Sequence, residues 1–555
     1  MNKKVCSFPI LFALLALLIG TCAVVFPASA QAAPTSTGSI TVSGTVARSY
    51  DAYQIFSANV VDGDSDAKIA TDLAWASDAA CDAVLPVLHS AGMPKSQTTA
   101  QEAAEWLNTD SHLTSALSAQ LARSLQSSGA EPVALNAGTT AELSCGYWLI
   151  VADDDAIAQG EVGTAPIMAL VGGSAVAVKP KAATPKVSKH VLEDGTAAWQ
   201  KAADATVGDD LYWRLSATVP AGLAAYDAYA VQFVDTMSAG LDPSRVAASM
   251  RVYAAAGADG GFDAVQTGKD GRVGTEPAKG WTDITAQCAT KVAADGTFTV
   301  RTGDLIAALG GADAFTVGAR VVAVYNAPLG SACNHGIAKG NPNEVYLRYP
   351  RSPLADQSGD AGFARTPSDD ACAYTWDLAL TKRGSDGDKP LAGAVLSIAD
   401  DRGRTLAADG TWDAEGKATV TTGEDGRVAV SGVDSGKLEV RELKAPKGYT
   451  AFEGTRSVTV KAEGLDVDQV AAAKPKLTIT AESPLRADSA DGSTGSLEAS
   501  LINTPTGTPP SITTGGFMPS TGDMAMYAAA AAAVAGAALI VVALLVKRGG
   551  GSHKE

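Results

Sequence analysis

Leu438-Glu439-Val440-Arg441-Glu442-Leu443-Lys444-Ala445-Pro446-Lys447-Gly448-Tyr449 decides how this chain folds. Its first half alternates apolar and polar side chains, the period of a β-strand with one buried face. Leu438, Val440 and Glu442 share a parity, so a carboxyl group points where the apolar residues point. The pattern recurs on both flanks. Trp376, Leu378, Leu380 and Lys382 share one face, and so do Leu497, Ala499, Leu501 and Asn503. Three strands thus send a lysine, an acid and an asparagine toward the expected core.

A second set lies upstream. Val187, Lys189 and Val191 share a face, as do Tyr229, Val231, Phe233 and Asp235, and Asn343, Val345, Leu347 and Tyr349. Asn341 has the same parity as Asn343, but Pro342 interrupts pairing beside it, so Asn343 is favoured and Asn341 is the alternative. Ionisable groups inside a protein are costly unless paired. Chemistry is one reason to place them there. Loss of water lowers a lysine pKa and leaves a neutral, nucleophilic amine; it raises an acid's pKa and keeps it protonated. Such an acid can polarise the asparagine amide and shuttle protons as ammonia leaves. The product is a Lys–Asn amide. Before residue 179 the only lysines after the N-terminal segment are Lys68 and Lys95, neither in a clean core strand, so no such bond is expected there.

Outward from these sets, the expected fold class is mainly β: tandem Ig-like β-sandwich domains after an α+β N-terminal domain. From 184 to about 505 short alternating strands are separated by Gly, Asp and Asn turns. A proline-rich gap from Ser352-Pro353 to Pro367 divides this region into sandwiches at 184–368 and 369–505. Residues 31–183 mix Ser39–Val42, Tyr53–Phe56 and Leu143–Val151, which read as strands, with Ala/Leu-rich helical spacing over 70–90, 99–107 and 112–125. Residues 506–517 are a Pro/Gly/Thr linker.

The ends predict export and anchoring. Lys3 and Lys4 precede an apolar stretch from about Ile10 to Val25, and Ala28-Ser29-Ala30 offers a cleavage site, with Ala30-Gln31-Ala32 as a second; 1–30 is read as a signal peptide. At the other end, Met518-Pro519-Ser520-Thr521-Gly522 precedes an apolar run from Met524 to Val546. That run makes about 35 Å of helix, enough to span a bilayer. Lys547 and Arg548 place the tail in the cytoplasm. The precursor has a formal charge of −17, an acidic balance that argues against nucleic acid and anionic lipid as partners.

Seven cysteines are present, two of them in the signal segment. Cys81, Cys145, Cys288, Cys333 and Cys372 show no CxxC pair, so neither a zinc site nor any other metal or cofactor is expected. Outside the cell, Cys81 with Cys145 and Cys333 with Cys372 are the expected disulfides, leaving one thiol. The chain lacks HExxH and GxSxG, and its five histidines have no metal-ligand spacing, so an enzyme acting on other molecules is not expected.

Leu438–Tyr449 resembles the E-box of Gram-positive pilins, with Glu442 in the place of its glutamate. Leu380-Thr381-Lys382 with Pro390-Leu391-Ala392-Gly393-Ala394 resembles the opening of that family's CnaB-type domain, and Ile502-Asn503-Thr504-Pro505 its close. Phe233–Leu241 and Gly340-Asn341-Pro342-Asn343 resemble its CnaA-like domain, and 518–522 resembles an LPXTG sorting signal with Met518 for leucine. The chain is thus similar to shaft pilins of sortase-assembled pili. The resemblance implies spontaneous Lys382–Asn503 and Lys189–Asn343 isopeptide bonds, assisted by Glu442 and Asp235. It implies that a sortase cuts between Thr521 and Gly522 and joins the threonine carbonyl to an amine of the next subunit. Val176-Ala177-Val178-Lys179-Pro180-Lys181-Ala182 takes the place of the pilin motif, which makes Lys181 the polymerising lysine and Lys179 the alternative. The implied partners are sortase, other copies of the chain in a head-to-tail covalent polymer, peptidoglycan, an accessory pilin and a host surface receptor. The implied product is a wall-anchored adhesive fimbria; a monomeric sortase-anchored adhesin is the alternative.

Overall fold

The computed structural model describes residues 36–507, apart from 45, 65–66, 110, 159, 181–182, 258–259, 269–270 and 316–317. The expected signal peptide, sorting motif with Thr521 and Gly522, apolar span and Lys181 lie outside the described residues.

The first unit is α+β. Ser49–Asp62 pairs with Gly146–Ala152 in a five-stranded sheet, while Thr37–Val42 pairs with Thr140–Ser144 and Val176–Val178 in a second, three-stranded sheet. Gly146 is the switch between them. Its φ is +141°, and a Cβ there would meet Phe56 O at 2.0 Å; only glycine lets the chain leave one sheet and enter the other at this point. Helices Asp78–Ser90, Ala100–Leu107 and Ser115–Ser127 cover the larger sheet, each started by a hydroxyl cap from Ser77, Thr99 or Thr114. The helical spacing expected from residue 70 gives way to a strand, Lys68–Trp75, paired antiparallel with Ser49–Asp62. An open sheet edge supplied hydrogen bonds that outweighed a weak local propensity.

Two sandwiches follow. In the middle one, a six-stranded sheet containing Lys186–Glu193, Tyr212–Val219 and Ala319–Asn326 faces a seven-stranded sheet containing Gln232–Met237 and Asn341–Pro350. Trp213, Tyr229, Phe233, Phe298 and Tyr325 fill the space between. In the last one, a five-stranded sheet built on Trp376–Gly384 and Ser496–Pro505 faces a seven-stranded sheet that includes Gly436–Lys444.

The middle sandwich does not end at 368 as proline content suggested. Asp369–Tyr374 pairs antiparallel with Asn341–Pro350 and parallel with Ala202–Asp204, so its sheet runs on to Tyr374. The proline-rich segment is an excursion that returns to the same sheet. Composition marks such a loop but not the sheet its far end joins.

The units are tied at both joints. Arg123 donates to Ala225 O and Pro353 O and pairs with Asp227. Between the sandwiches, Asp204 Oδ2 accepts from Trp376 Nε1 at 2.6 Å and from Ser435 N at 2.9 Å, and Arg404 pairs with Asp209.

Candidate functional site

Both expected triads assemble inside the sandwiches. Lys189 projects inward from Lys186–Glu193. Asp235 and Asn343 project from neighbouring strands of the opposite sheet, where Asp235 lies across from Val345 and Met237 from Asn343. Acid and amide are therefore diagonal neighbours on one face, and the lysine crosses the sandwich to meet them. All three are fully buried. Lys189 Nζ contacts Asp235 Oδ2 directly, and lies 5.5 Å from the ring centres of both Trp213 and Tyr325.

The last sandwich uses a different arrangement. Lys382 and Asn503 lie on adjacent parallel strands of one sheet, Lys382 beside Leu501 and Gly384 beside Asn503. Glu442 reaches them from the facing sheet. Lys382 Nζ is 3.5 Å from Glu442 Oε1, and Asn503 Nδ2 donates to Glu442 Oε1 and Oε2 at 2.9 and 3.1 Å. The backbone N–H of Phe452 donates to Glu442 Oε2 at 3.0 Å and orients the carboxyl. In the middle sandwich the acid shares a sheet with the amide; in the last one the lysine does. In both, the acid touches the nucleophile.

Electrostatics suit the chemistry. Burial brings the Lys189 and Lys382 amines down to about 8, against the pull of their acids. Burial raises Asp235 to about 6 even with Lys189 beside it. Asp235 Oδ1 is buried with no hydrogen-bond partner among the described residues, which is costly for a carboxylate and relieved by a proton. In the middle sandwich burial thus moves the pair toward a neutral amine and a protonated acid, the states that amide formation needs.

Asn341 is equally buried but already committed. Its Nδ2 donates to Asn334 O at 2.9 Å and Ala373 O at 3.2 Å, and its Oδ1 accepts from Asn334 N at 2.8 Å. Asn343 is the asparagine of the triad. Parity alone did not mark Tyr325, whose hydroxyl lies 2.9 Å from Lys189 Nζ and 3.2 Å from Asp235 Oδ2, and accepts from Asn343 Nδ2 at 2.8 Å. A signal existed: Ala319, Val321, Ala323 and Tyr325 alternate inward, so the last member carries a hydroxyl into the core.

The disulfide expectations are corrected. All five cysteines among the described residues are free thiols. Cys145 is buried in the first core, whereas Cys81 sits one residue off the inward face of its helix, which is lined by Ala80, Ala83, Val84 and Leu88. Cys372 packs into the core of the last sandwich and Cys333 against that of the middle one. The intervening sheet keeps them apart, and sequence proximity could not reveal which face each occupied. Lys179 is exposed just after Val176–Val178. Lys68 donates to the carbonyls of Gly172 and Ser174. No cluster able to hold a metal occurs among the described residues, and no described helix is long and apolar enough to cross a membrane.

Residues 377–474 match the family model of the SpaA prealbumin-like fold domain. This stretch is similar to a SpaA-type domain. Lys382 and Glu442 fall within it, and Asn503 lies beyond its end. A curated relative, the trypsin-resistant surface T6 protein of Streptococcus pyogenes serotype M6, is 30% identical over 129 residues, a match that spans 22% of this chain and 22% of the relative. Among solved structures, the T6 backbone pilin of the same serotype has a TM-score of 0.45 at 18% identity, covering 85% of this chain and 98% of its own. The major pilin SpaD of Corynebacterium diphtheriae has a TM-score of 0.40 at 15% identity, covering 85% and 98%.

Proposed function

We propose that this chain is the structural, backbone subunit of a Gram-positive surface pilus, and that two internal amides, Lys189–Asn343 and Lys382–Asn503, close its sandwiches. The observation that carries the reading is the pair of buried lysine–acid–asparagine triads. A folded protein has little reason to bury Lys189 and Lys382 beside amides unless their burial serves a reaction. A match to a SpaA-type domain and to a T6 surface protein supports the same reading.

In the last sandwich the neutral Lys382 amine attacks Asn503 Cγ. Half a turn of the Asn503 amide presents Oδ1 to Glu442, whose carboxyl takes a proton from Nζ and passes it to Oδ1 as the carbon becomes tetrahedral. Glu442 then moves that proton from Oδ1 to Nδ2, the carbonyl re-forms, the Cγ–Nδ2 bond breaks, and ammonia leaves. Asp235 has the corresponding place beside Lys189. Each bond joins strands that the fold brings together from distant parts of the chain, so tension on the ends of a domain meets a covalent tie that reductants do not cut.

Assembly follows from the termini. Sortase forms an acyl-enzyme on Thr521, releasing Gly522 onward. The amine of Lys181, or of the exposed Lys179, resolves it and joins subunits head to tail, a heterologous contact that propagates as an open filament. The last transfer goes to peptidoglycan, which leaves the fibre on the wall for adhesion through this chain or an accessory pilin.

The internal bonds are tested by intact mass. The chain from 31 to 521 should fall short of its sequence mass by two ammonias, about 17 Da each, since each amide expels one leaving group. A full-mass protein refutes both bonds. The polymer is tested separately, by boiling wall extracts in detergent: a ladder of high-mass species is expected, and a single band refutes the backbone role.

A further inference from the structure

We propose that Tyr325 is a catalytic residue of the middle sandwich, relaying a proton from the attacking lysine to the departing asparagine nitrogen. This rests on the reading that Lys189 and Asn343 form an amide. Its basis is a difference between the two triads. In the last sandwich Glu442 touches both the nucleophile and the amide nitrogen. In the middle sandwich the acid is one methylene shorter. Asp235 reaches Lys189 and Tyr325, and the amide nitrogen of Asn343 is met by the Tyr325 hydroxyl.

The hydroxyl sits between the two nitrogens, 2.9 Å from Lys189 Nζ and 2.8 Å from Asn343 Nδ2, with Asp235 Oδ2 at 3.2 Å. These are proton-transfer distances. Nζ attacks Cγ, and the new C–N bond turns Nδ2 from an amide donor into a basic amine. Tyr325 passes its proton to Nδ2 as its oxygen takes one from Nζ. The Cγ–Nδ2 bond breaks and ammonia leaves. The tyrosine ends as it began, and the neutral amine and primary amide have become one secondary amide and ammonia. Burial pushes the phenol well above its ordinary pKa, so it keeps its proton at neutral pH. The ring is held by edge-on packing against Phe298, 4.8 Å between centroids.

Two variants of the 31–521 chain test this. The chain is made in a cell-free system, sampled over time, and the Lys189–Asn343 linkage is followed as a branched proteolytic peptide. Tyr325→Phe keeps the ring and removes the relay. The expected result is formation of this linkage slowed by about 100-fold or more, the scale of a lost general acid–base group, with the Lys382–Asn503 linkage forming at the ordinary rate in the same molecules. Linkage at the ordinary rate overturns the relay. Replacement of Tyr325 by 3-fluorotyrosine, which preserves shape and makes the phenol more acidic, covers the case in which the phenylalanine variant misfolds. A changed rate supports proton relay and an unchanged rate overturns it. Absence of the linkage from the unaltered chain would instead refute the amide itself, a separate result.

Discussion

Replacing Glu442 by glutamine should unfasten the last sandwich and leave its packing in place. Glutamine has the same shape and can still accept from Phe452 N–H, which now meets Glu442 Oε2 at 3.0 Å. It cannot carry a proton from Lys382 to Asn503. The lost bond would close a loop of about 120 residues, for which chain-entropy arithmetic gives about 5 kcal/mol at 25 °C. At roughly 2–4 °C per kcal/mol for a domain of this size, the last transition in a calorimetric scan should fall by about 10–20 °C. Intact mass should rise by about 16 Da relative to the unaltered chain: one ammonia retained, about 17 Da, less the one unit by which glutamine is lighter than glutamate. Lys382→Met gives the complementary case, removing the amine itself and leaving no buried cation. If the crosslink dominates, both variants should melt within a few degrees of each other. A glutamine variant that still lacks the ammonia refutes Glu442 as the proton carrier. A variant that loses the crosslink but melts as before refutes the mechanical argument for it.

Other consequences are open to measurement. Chain newly made in a cell-free system and shifted to buffers of set pH should form Lys189–Asn343 fastest between about pH 6 and pH 8: below the Asp235 value both groups hold protons and the amine is blocked, and above the Lys189 value the shared proton is lost, so a rate that climbs steadily with pH would contradict the paired assignment. Glu193 is raised to about 8 by burial and by Asp204, against an unfolded value near 4.5. Its folded form therefore holds a proton that the unfolded chain releases, and stability falls as pH rises through that window. Glu193→Gln should flatten the fall in melting temperature between pH 5 and pH 8, and an unchanged slope would remove Glu193 as its source. Because the five cysteines are free, reductant should leave every melting transition in place; a shift of more than a degree or two would point to a disulfide. Alanine at Lys181 and at Lys179, singly and together, should show which amine builds the ladder in wall extracts, and a ladder surviving the double variant would exclude both.

Much of the site was legible because strand parity is local. The two-residue period of Trp376–Lys382, Leu438–Glu442 and Leu497–Asn503 puts each polar residue on the apolar face wherever the strand ends up. The sequence thus determined which side chains would be buried, the predominance of β-structure, and the acids and amides available to the lysines. Tertiary structure decided what lies between the strands. The pairing of Asp369–Tyr374 with Asn341–Pro350 extended the middle sandwich, the sheet between Cys333 and Cys372 separated two thiols that are close in sequence, and hydrogen bonds singled out Asn343 by using up Asn341. Tyr325 entered the site because Ala319–Asn326 faces Gln232–Met237 across the core. Parity is a property of one strand; distance across a sandwich depends on every residue packed into it.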